Sequence, residues 1–195
     1  MIVMAKKVDF KPDKPRSGFL DKMYLTQLQR KNLLKWVLYV AVLLLLSVLQ
    51  DVLLCKWHIF GATTELVPCG IFLICLMEGT ETGSVFALVS SALYLFSGSA
   101  AGNYSLVLLT VIGFLITLLR QAFLQKGFSA AMLCTFMGLL TYELAVFFIA
   151  VFFGQTYMER IGVSVLTAVF TSLAAPVLYP LLTRICKLGG ESWKE

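Results

Sequence analysis

The chain has 195 residues, of which 59% are hydrophobic and 14% are charged, with a formal net charge of +5. Apolar stretches of membrane length recur from residue 33 to near the C-terminus, so this composition predicts an integral membrane protein. The polar segments are one N-terminal tail and short loops, which excludes a separate soluble enzyme domain. We therefore expect a single membrane domain.

The first 32 residues are polar and basic, and they form a predicted cytosolic tail. Residues 19–28 carry apolar side chains at helical spacing with lysines opposite, a pattern typical of a helix that lies on an anionic membrane surface. A simple extension of the first span would explain the same pattern. The first apolar run is too long and too leucine-rich for a cleaved signal, so the tail should stay attached.

Six apolar runs follow the tail, at 33–54, 59–77, 82–97, 104–124, 130–154 and 161–182. A helix needs about 20 residues to cross the hydrocarbon core of a bilayer. The first, fourth, fifth and sixth runs are long enough, whereas the second and third are marginal. The second run is strongly apolar only over 66–77, so it either spans the membrane or is re-entrant and half unwound.

The distribution of lysine and arginine favours six spans with both termini in the cytosol, because short cytosolic loops carry an excess of bases. With six spans, 14 bases lie inside and two, Lys56 and Arg160, lie outside. With five spans the split becomes ten to six. The predicted fold is therefore an all-α, six-helix transmembrane bundle over residues 33–187, followed by a short cytosolic tail, 188–195.

The segment EGTETG, residues 78–83, is predicted to form a cytosolic turn between the second and third spans. Gly79 and Gly83 suit a tight turn, because a residue just past a helix end often needs positive φ. Glu81 also suits the first turn of the third span, where a carboxylate complements the helix dipole. Glu78 and Glu81 either cap this turn or meet a basic cytosolic partner.

Glu143 is the one acidic residue near the middle of a long predicted span. A carboxylate at that depth costs about 2.5–3.5 kcal/mol on an insertion scale, so it should face the protein interior or a partner. One interpretation is a neutral Glu143 hydrogen-bonded to a serine, threonine or tyrosine of a neighbouring helix. The other is a role in proton coupling.

Asp51 lies near the outer end of the first span, just before Lys56, Trp57 and His58, which have the usual composition of an interfacial anchor. The single histidine excludes the common histidine metal sites, and no catalytic signature motif is present. The five cysteines are scattered without a C-x-x-C pair and are interpreted as small core residues. We expect no catalytic residue, no cofactor, no metal and no nucleic-acid partner.

Small residues are abundant in the third and sixth runs and allow helices to approach closely, so these two helices are predicted to pack at the centre. Pro176 and Pro180 are predicted to bend the last span. The fourth run carries many large apolar side chains. It is interpreted as facing lipid or a partner.

The order of several features resembles the bacterial rod shape-determining protein MreD family. The features are a leucine-glutamine end of the first span (43–50), Gly61 ahead of Pro68, the acidic-glycine turn (78–83), and Gly102 with the run 106–109 at the start of the fourth span. The resemblance implies a non-catalytic subunit of the cell-elongation complex in the bacterial cytoplasmic membrane, a scaffold for peptidoglycan synthesis.

The resemblance covers roughly residues 33–185, and the chain departs from the family pattern at two places. Pro68 is followed by Cys69 and Gly70, where the family often has an aspartate or asparagine. Tyr94 or a neighbour stands where the family often has an aspartate near the end of the third span.

The partners that the resemblance implies are an MreC-like protein, an MreB-like filament, and a RodA-type glycosyltransferase with its transpeptidase, besides membrane lipid. Four polar positions are the candidate interaction or buried sites. They are Glu143, Asp51, Glu78 and Glu81.

The fold of the MreD family is related to that of the substrate-binding subunits of energy-coupling-factor vitamin transporters. The alternative function is therefore that of such a substrate-binding subunit. Such subunits usually have an alanine-rich first helix, whereas YVAVLLLLSVLQ contains a single alanine. A vitamin pocket could be lined by outer-loop residues, namely Trp57, His58, Asn103, Tyr104, Gln155 and Tyr157. A third hypothesis is a small proton-coupled transporter centred on Glu143.

Overall fold

The computed structural model describes residues 27–52, 62–123 and 127–188, and this part of the chain is all-helical. Six α-helices follow one another along these ranges. They are α1 (Gln27–Val52), α2 (Leu66–Glu78), α3 (Thr80–Phe96), α4 (Tyr104–Phe123), α5 (Phe128–Phe152) and α6 (Ile161–Leu188), with a 3-10 turn, Met158–Arg160, ahead of α6. The predicted all-α class is confirmed, and the number of helices fits the six apolar runs.

Several sequence predictions lie outside the described residues. They concern the tail up to residue 26, including most of the predicted interfacial helix, the segment with Cys55 and the 56–58 anchor, Gly61, and the C-terminal tail beyond 188.

Three of the described helices are long and apolar enough to cross a membrane: Arg30–Val52, Phe128–Phe152 and Met158–Leu188. Two shorter apolar helices, Leu66–Glu78 and Tyr104–Arg120, accompany them. By length and composition these helices indicate a membrane protein.

Large apolar side chains are exposed along the outer faces of the bundle. Examples are Leu45, Val85, Val107, Leu133 and Leu173 on α1, α3, α4, α5 and α6. So many exposed apolar side chains are unfavourable in water and are typical of contact with lipid or another protein. Helix α4 also has a buried face, formed by residues such as Leu109 and Ile112, so its interpretation as an outward-facing helix holds for one side only.

Helix α2 is the centre of the bundle, where it contacts α1, α3, α4, α5 and α6. Its residues 67–78 are all buried. A helix that is apolar on every side, as LVPCGIFLICLME nearly is, has no face suited to water and is enclosed by its neighbours. The prediction that the third and sixth runs occupy the centre is therefore wrong, because α3 and α6 each bury only one side.

The two ends of the bundle differ in charge. At one end, here called the basic end, Lys35 of α1 contacts Glu78 of α2. At the other end, Gln50 of α1 contacts Val67 and Tyr94. This end is called the cavity end, because Gln50 lines a cavity there. Within the described ranges the basic residues of the basic end are Arg30, Lys31, Lys35, Arg120, Arg184 and Lys187, and Arg160 lies at the cavity end.

The turn between α2 and α3 is tight, and its two glycines have different roles. Gly79 joins the helices with a φ of 92°, as the turn prediction requires, and Glu81 lies in the first turn of α3 as predicted. Gly83 lies inside α3, where an added Cβ would come within 2.9 Å of Thr117 and 3.0 Å of the Cys75 carbonyl. Gly83 therefore permits close helix packing.

Four cysteines lie in the described part of the chain, and all are buried and in no disulfide, as predicted: Cys69, Cys75, Cys134 and Cys186. Pro176 and Pro180 both lie inside α6.

Candidate functional site

The cavity end is organised by Gln50, in the last turn of α1. Its side-chain oxygen accepts a hydrogen bond from the backbone N–H of Val67 at 3.2 Å, which belongs to the first turn of α2. The first N–H groups of a helix have no acceptor within that helix. Gln50, from a neighbouring helix, supplies the acceptor for one of these N–H groups in α2. Its side-chain nitrogen donates to the Tyr94 hydroxyl at 3.3 Å.

The Tyr94 hydroxyl connects α3 to the segment that precedes α2. Besides accepting from Gln50, it lies 3.3 Å from the Glu65 carboxylate and 3.2 Å from the Ser99 carbonyl. A hydroxyl has one proton to donate, so it serves one of these two acceptors at a time. Asp51, the residue after Gln50, accepts from the Ser99 hydroxyl at 2.7 and 2.9 Å.

These residues surround a cavity of about 470 Å³. Its walls are Gln50, Asp51, the non-helical segment 63–65 and the turn 97–99. The volume lies in the range of about 300–1,000 Å³ that is usual for small-molecule pockets. Most of the lining side chains are polar, unlike the apolar groove of about 390 Å³ between α4 and α5.

The segment before α2 enters the bundle without forming a helix. The backbone N–H of Glu65 donates to the Thr171 hydroxyl at 3.1 Å, and Thr171 lies about 15 Å along α6 from its first residue, Ile161. Non-helical backbone at membrane depth is tolerated where it is enclosed by protein or lines a cavity. Residues 62–65 are non-helical and α2 begins at Leu66, which fits the half-unwound alternative for this part of the second run, whereas its placement in the membrane stays a prediction.

A buried polar cluster lies next to Glu65. Glu143 and Tyr142 of α5 both interact electrostatically with Glu65, and Ser105 of α4 lies close to Tyr142. Among the described residues, the buried Glu143 Oε1 has no hydrogen-bond partner, whereas the Tyr142 and Ser105 hydroxyls interact with each other. The interpretation that a neutral Glu143 is hydrogen-bonded to a neighbouring helix stays a prediction.

A second polar group lies at the basic end. Lys35 Nζ is 2.6 Å from Glu78 Oε2, and the Tyr39 hydroxyl donates to Glu78 Oε1 at 2.6 Å. All three residues are buried. Glu78 thus points into the bundle and contacts a base of its own chain, whereas Glu81 is exposed. Glu78 and Glu81 were predicted to lie in one turn, and the fold gives their carboxylates different surroundings.

Two of the four predicted polar positions are related to Glu65: Asp51 lines the cavity with it, and Glu143 interacts with it electrostatically. Glu65 was not among the predicted polar positions, because it belongs to a polar interruption of the second run. The sequence feature that could have identified Glu65 is its position directly before twelve apolar residues. The residues proposed for a vitamin pocket, Asn103, Tyr104, Gln155 and Tyr157, do not line the cavity.

The described residues contain no group of three or more His, Cys, Asp or Glu side chains placed to hold a metal ion. What the cavity end offers is carboxylates, hydroxyls and one amide around an open space, with hydroxyl and carboxyl groups buried beside it. Comparisons of the chain with protein-family models, with curated proteins and with solved structures found no match.

Proposed function

We propose that this chain is a non-catalytic membrane scaffold subunit of the bacterial cell-elongation complex, similar to MreD. In this role it binds an MreC-like protein and supports a RodA-type glycosyltransferase, its transpeptidase and an MreB-like filament during peptidoglycan synthesis. A helical bundle with short connections and a broad apolar outer surface suits binding to the membrane segments of other proteins.

The observation that carries the proposal is the structural role of the residues on which the family resemblance rests. Gln50, at the end of the leucine-glutamine motif, connects α1 to α2 and α3. Gly79 forms the α2–α3 turn, and an added Cβ at Gly102 would meet the Tyr104 ring at 2.6 Å. These motif residues build the bundle, as motifs shared by a family of scaffold proteins would.

The proposal includes six spans, both termini in the cytosol and a location in the bacterial cytoplasmic membrane. Supporting it, the bases of the described ranges gather at the basic end, with Arg160 at the cavity end. The positive-inside rule assigns the end with more bases to the cytosol. The cavity then opens on the outer side.

The direct test is recovery of partners from the native membrane. Tagged chain, solubilised gently, is expected to bring down an MreC-like protein, and deletion of its gene is expected to turn rods into round cells. Recovery of no such protein together with unchanged cell shape would contradict the scaffold role.

The exposed carboxylate at the basic end allows a sharper version of this test. Glu81→Gln removes a charge that a basic cytosolic partner could contact, whereas Glu159→Gln removes an exposed charge ahead of α6 at the cavity end. Partner recovery is expected to fall with Glu81→Gln and to stay unchanged with Glu159→Gln. Equal recovery with both variants would exclude Glu81 from the interface.

The alternative, a substrate-binding subunit of a vitamin transporter, is favoured by one observation, the polar cavity of about 470 Å³. Its position between helix ends resembles the usual location of small-molecule sites in helical bundles. Saturable binding of a vitamin to the purified chain would support this alternative, and it would be the preferred function if the partner test also failed.

A further inference from the structure

A groove at the basic end runs between α1 and α3. It has a volume of about 370 Å³, and its walls include Trp36 and Val40 of α1 and Val85 and Val89 of α3. The groove opens outward, because Val85 and Val89 are 65% and 47% exposed. An open apolar groove between two helices is a usual place for the apolar side of a third helix to bind.

Aromatic rings hold the α1 side of the groove in place. The centre of the Trp36 ring lies 5.5 Å from that of Phe86 and 5.9 Å from that of Tyr39, and the latter two residues are buried. Tyr39 also donates a hydrogen bond to the buried Glu78. The groove is therefore formed before a partner arrives, which lowers the cost of ordering side chains on binding. Tryptophan is also among the residues that most often dominate the binding energy at protein interfaces.

One charged side chain, that of Glu81, borders the groove. Glu81 is exposed, and within the described ranges its carboxylate forms no ion pair. A carboxylate at this edge repels the phosphate of a lipid headgroup and attracts a lysine or an arginine. The charge therefore favours a basic protein segment over a phospholipid as the occupant.

The apolar groove between α4 and α5 provides a comparison. Its volume of about 390 Å³ is similar, and its lining residues are all uncharged. Both grooves suit apolar groups, but the groove between α1 and α3 adds a charge at its edge that selects among them. The two grooves thus separate the contribution of apolar surface from that of Glu81.

The spacing of the wall residues on α3 defines the matching pattern. Glu81, Val85 and Val89 follow one another at intervals of four residues, so they lie along one side of α3 over about 12 Å. The same length of a helix about 10 Å wide occupies about 1,000 Å³. A groove of about 370 Å³ therefore takes the side chains of such a helix and not its backbone. A helix alongside α3 would present a base opposite Glu81 and apolar side chains one and two turns deeper.

We propose that this groove binds a transmembrane helix of a partner protein. A lysine or arginine at the membrane surface of that helix pairs with Glu81, and its apolar side chains one and two turns deeper insert between α1 and α3. The proposal names a surface and the chemistry of its partner, and it does not require that the partner belong to the cell-elongation complex. A partner of another class would leave this docking site standing and would count against the scaffold role alone.

The test is photo-crosslinking of the full-length chain in its native membrane. A benzophenone amino acid replaces Val85 in the groove between α1 and α3 or, as the matched control, Leu133 in the groove between α4 and α5. Both positions are 65% exposed. Mass spectrometry of the adduct identifies the attached segment.

From the Val85 position we expect an adduct with a membrane helix that carries a lysine or arginine about one turn beyond the attachment site. From the Leu133 position we expect no adduct with that helix. Any other result at Val85 would overturn the proposal, including adducts with lipid alone, with a second copy of this chain, or with a helix that lacks the base. Capture of the same helix from both positions would also overturn it.

Exchange of charges then tests the ion pair. Glu81→Lys is expected to lower the adduct yield per chain in the membrane roughly tenfold, because attraction becomes repulsion. Glu159→Lys reverses an exposed charge at the other end of the bundle and should leave the yield unchanged. Replacing the base of the captured helix by glutamate should restore the adduct with Glu81→Lys. An unchanged yield with Glu81→Lys, or no recovery after the exchange, would contradict the pairing and overturn the proposal.

Discussion

Single residues fix the geometry of the basic end, and the buried Lys35 is the clearest case. Its ammonium group contacts Glu78 and lies 5.4 Å from the centre of the Trp36 ring, while Tyr39 serves the second oxygen of Glu78. Burial of two charges is costly, and close pairing with further hydrogen bonds offsets that cost. Removal of one member leaves the other charged and without compensation.

Lys35→Met is therefore expected to lower the free energy of unfolding by about 3–5 kcal/mol. Thermal unfolding in detergent measures this loss. Lys31→Met, four residues earlier on an exposed position of the same helix, is the control and should change little. Adding Glu78→Gln to Lys35→Met should recover part of the loss, and equal stability of the single and double variants would contradict a direct pairing.

Gly83 is the second single position that determines the packing, because there is no room for a side chain there. Because an added Cβ would approach the Cys75 carbonyl and Thr117, Gly83→Ala must push α3 away from α2 and α4. We expect a loss of about 1–3 kcal/mol in the free energy of unfolding. Gly162→Ala, where a Cβ would meet nothing within 4 Å, should be neutral or stabilising in the same thermal assay.

At the scale of single residues, the sequence predicted part of the candidate site. Glu143 was selected because a carboxylate inside an apolar run is costly, and Asp51 because it interrupts the end of a span. Glu65 was missed because its polar neighbours, Thr63 and Thr64, made it look like part of an ordinary loop. Its importance comes from the fold, which places that segment against α5 and α6.

At the scale of elements, α2 determines how the others are arranged. It is only 13 residues long, too short to cross a bilayer unaided, yet five helices surround it. Its stability in the bundle therefore comes from packing against protein on every side. Residues on the outer helices exchange one apolar environment for another, so their side chains contribute less.

Leucine truncations on α2 and α5 separate these two situations. Leu73→Ala, at a fully buried position of α2, should cost about 2–5 kcal/mol because it leaves a cavity. Leu133→Ala, at a position of α5 that is 65% exposed, should cost much less. Unfolding by heat or denaturant in the same detergent compares them. Similar losses would indicate that Leu133 is also enclosed, by a second copy or a lipid.

The start of α2 illustrates what local sequence can predict for an element. The strongly apolar part of the second run begins at residue 66, and the helix begins there too. The residues before it are polar, and their backbone finds partners such as the Thr171 hydroxyl. Hydropathy thus located the helix, whereas the path of the chain before it depended on residues over a hundred positions away.

At the scale of the whole molecule, the number of helices in the described ranges was predictable and their arrangement was not. Hydropathy identifies side chains that avoid water, but it does not distinguish those that meet lipid from those that meet protein. Small residues in the third and sixth runs suggested a central position, and they instead form close contacts such as that of Gly83 with α2. The proposed orientation of the bundle rests on the distribution of charge and can be measured directly.

Cysteine labelling measures this orientation. The starting chain is Cys55→Ser, in which the four described cysteines are buried. Glu81→Cys then places an exposed thiol in the first turn of α3, and Ala101→Cys places one beyond the other end of this helix. With the proposed six spans, a membrane-impermeant maleimide should label Ala101→Cys in intact cells. Glu81→Cys should react only after the cells are opened. The reverse pattern would contradict a cytosolic basic end.

The short central helix also has an electrical consequence. With 1.5 Å per residue, the 13 residues of α2 extend about 20 Å, against roughly 30 Å for the hydrocarbon core. In the proposed transmembrane orientation, with water in the cavity, most of the membrane voltage would fall across this shorter distance. The electric field along α2 would then be about half as strong again as a field spread over the full hydrocarbon core. An elementary charge carried from Glu65 to the basic end would then gain or lose nearly the full electrical energy, about 2.3 kcal/mol per 100 mV.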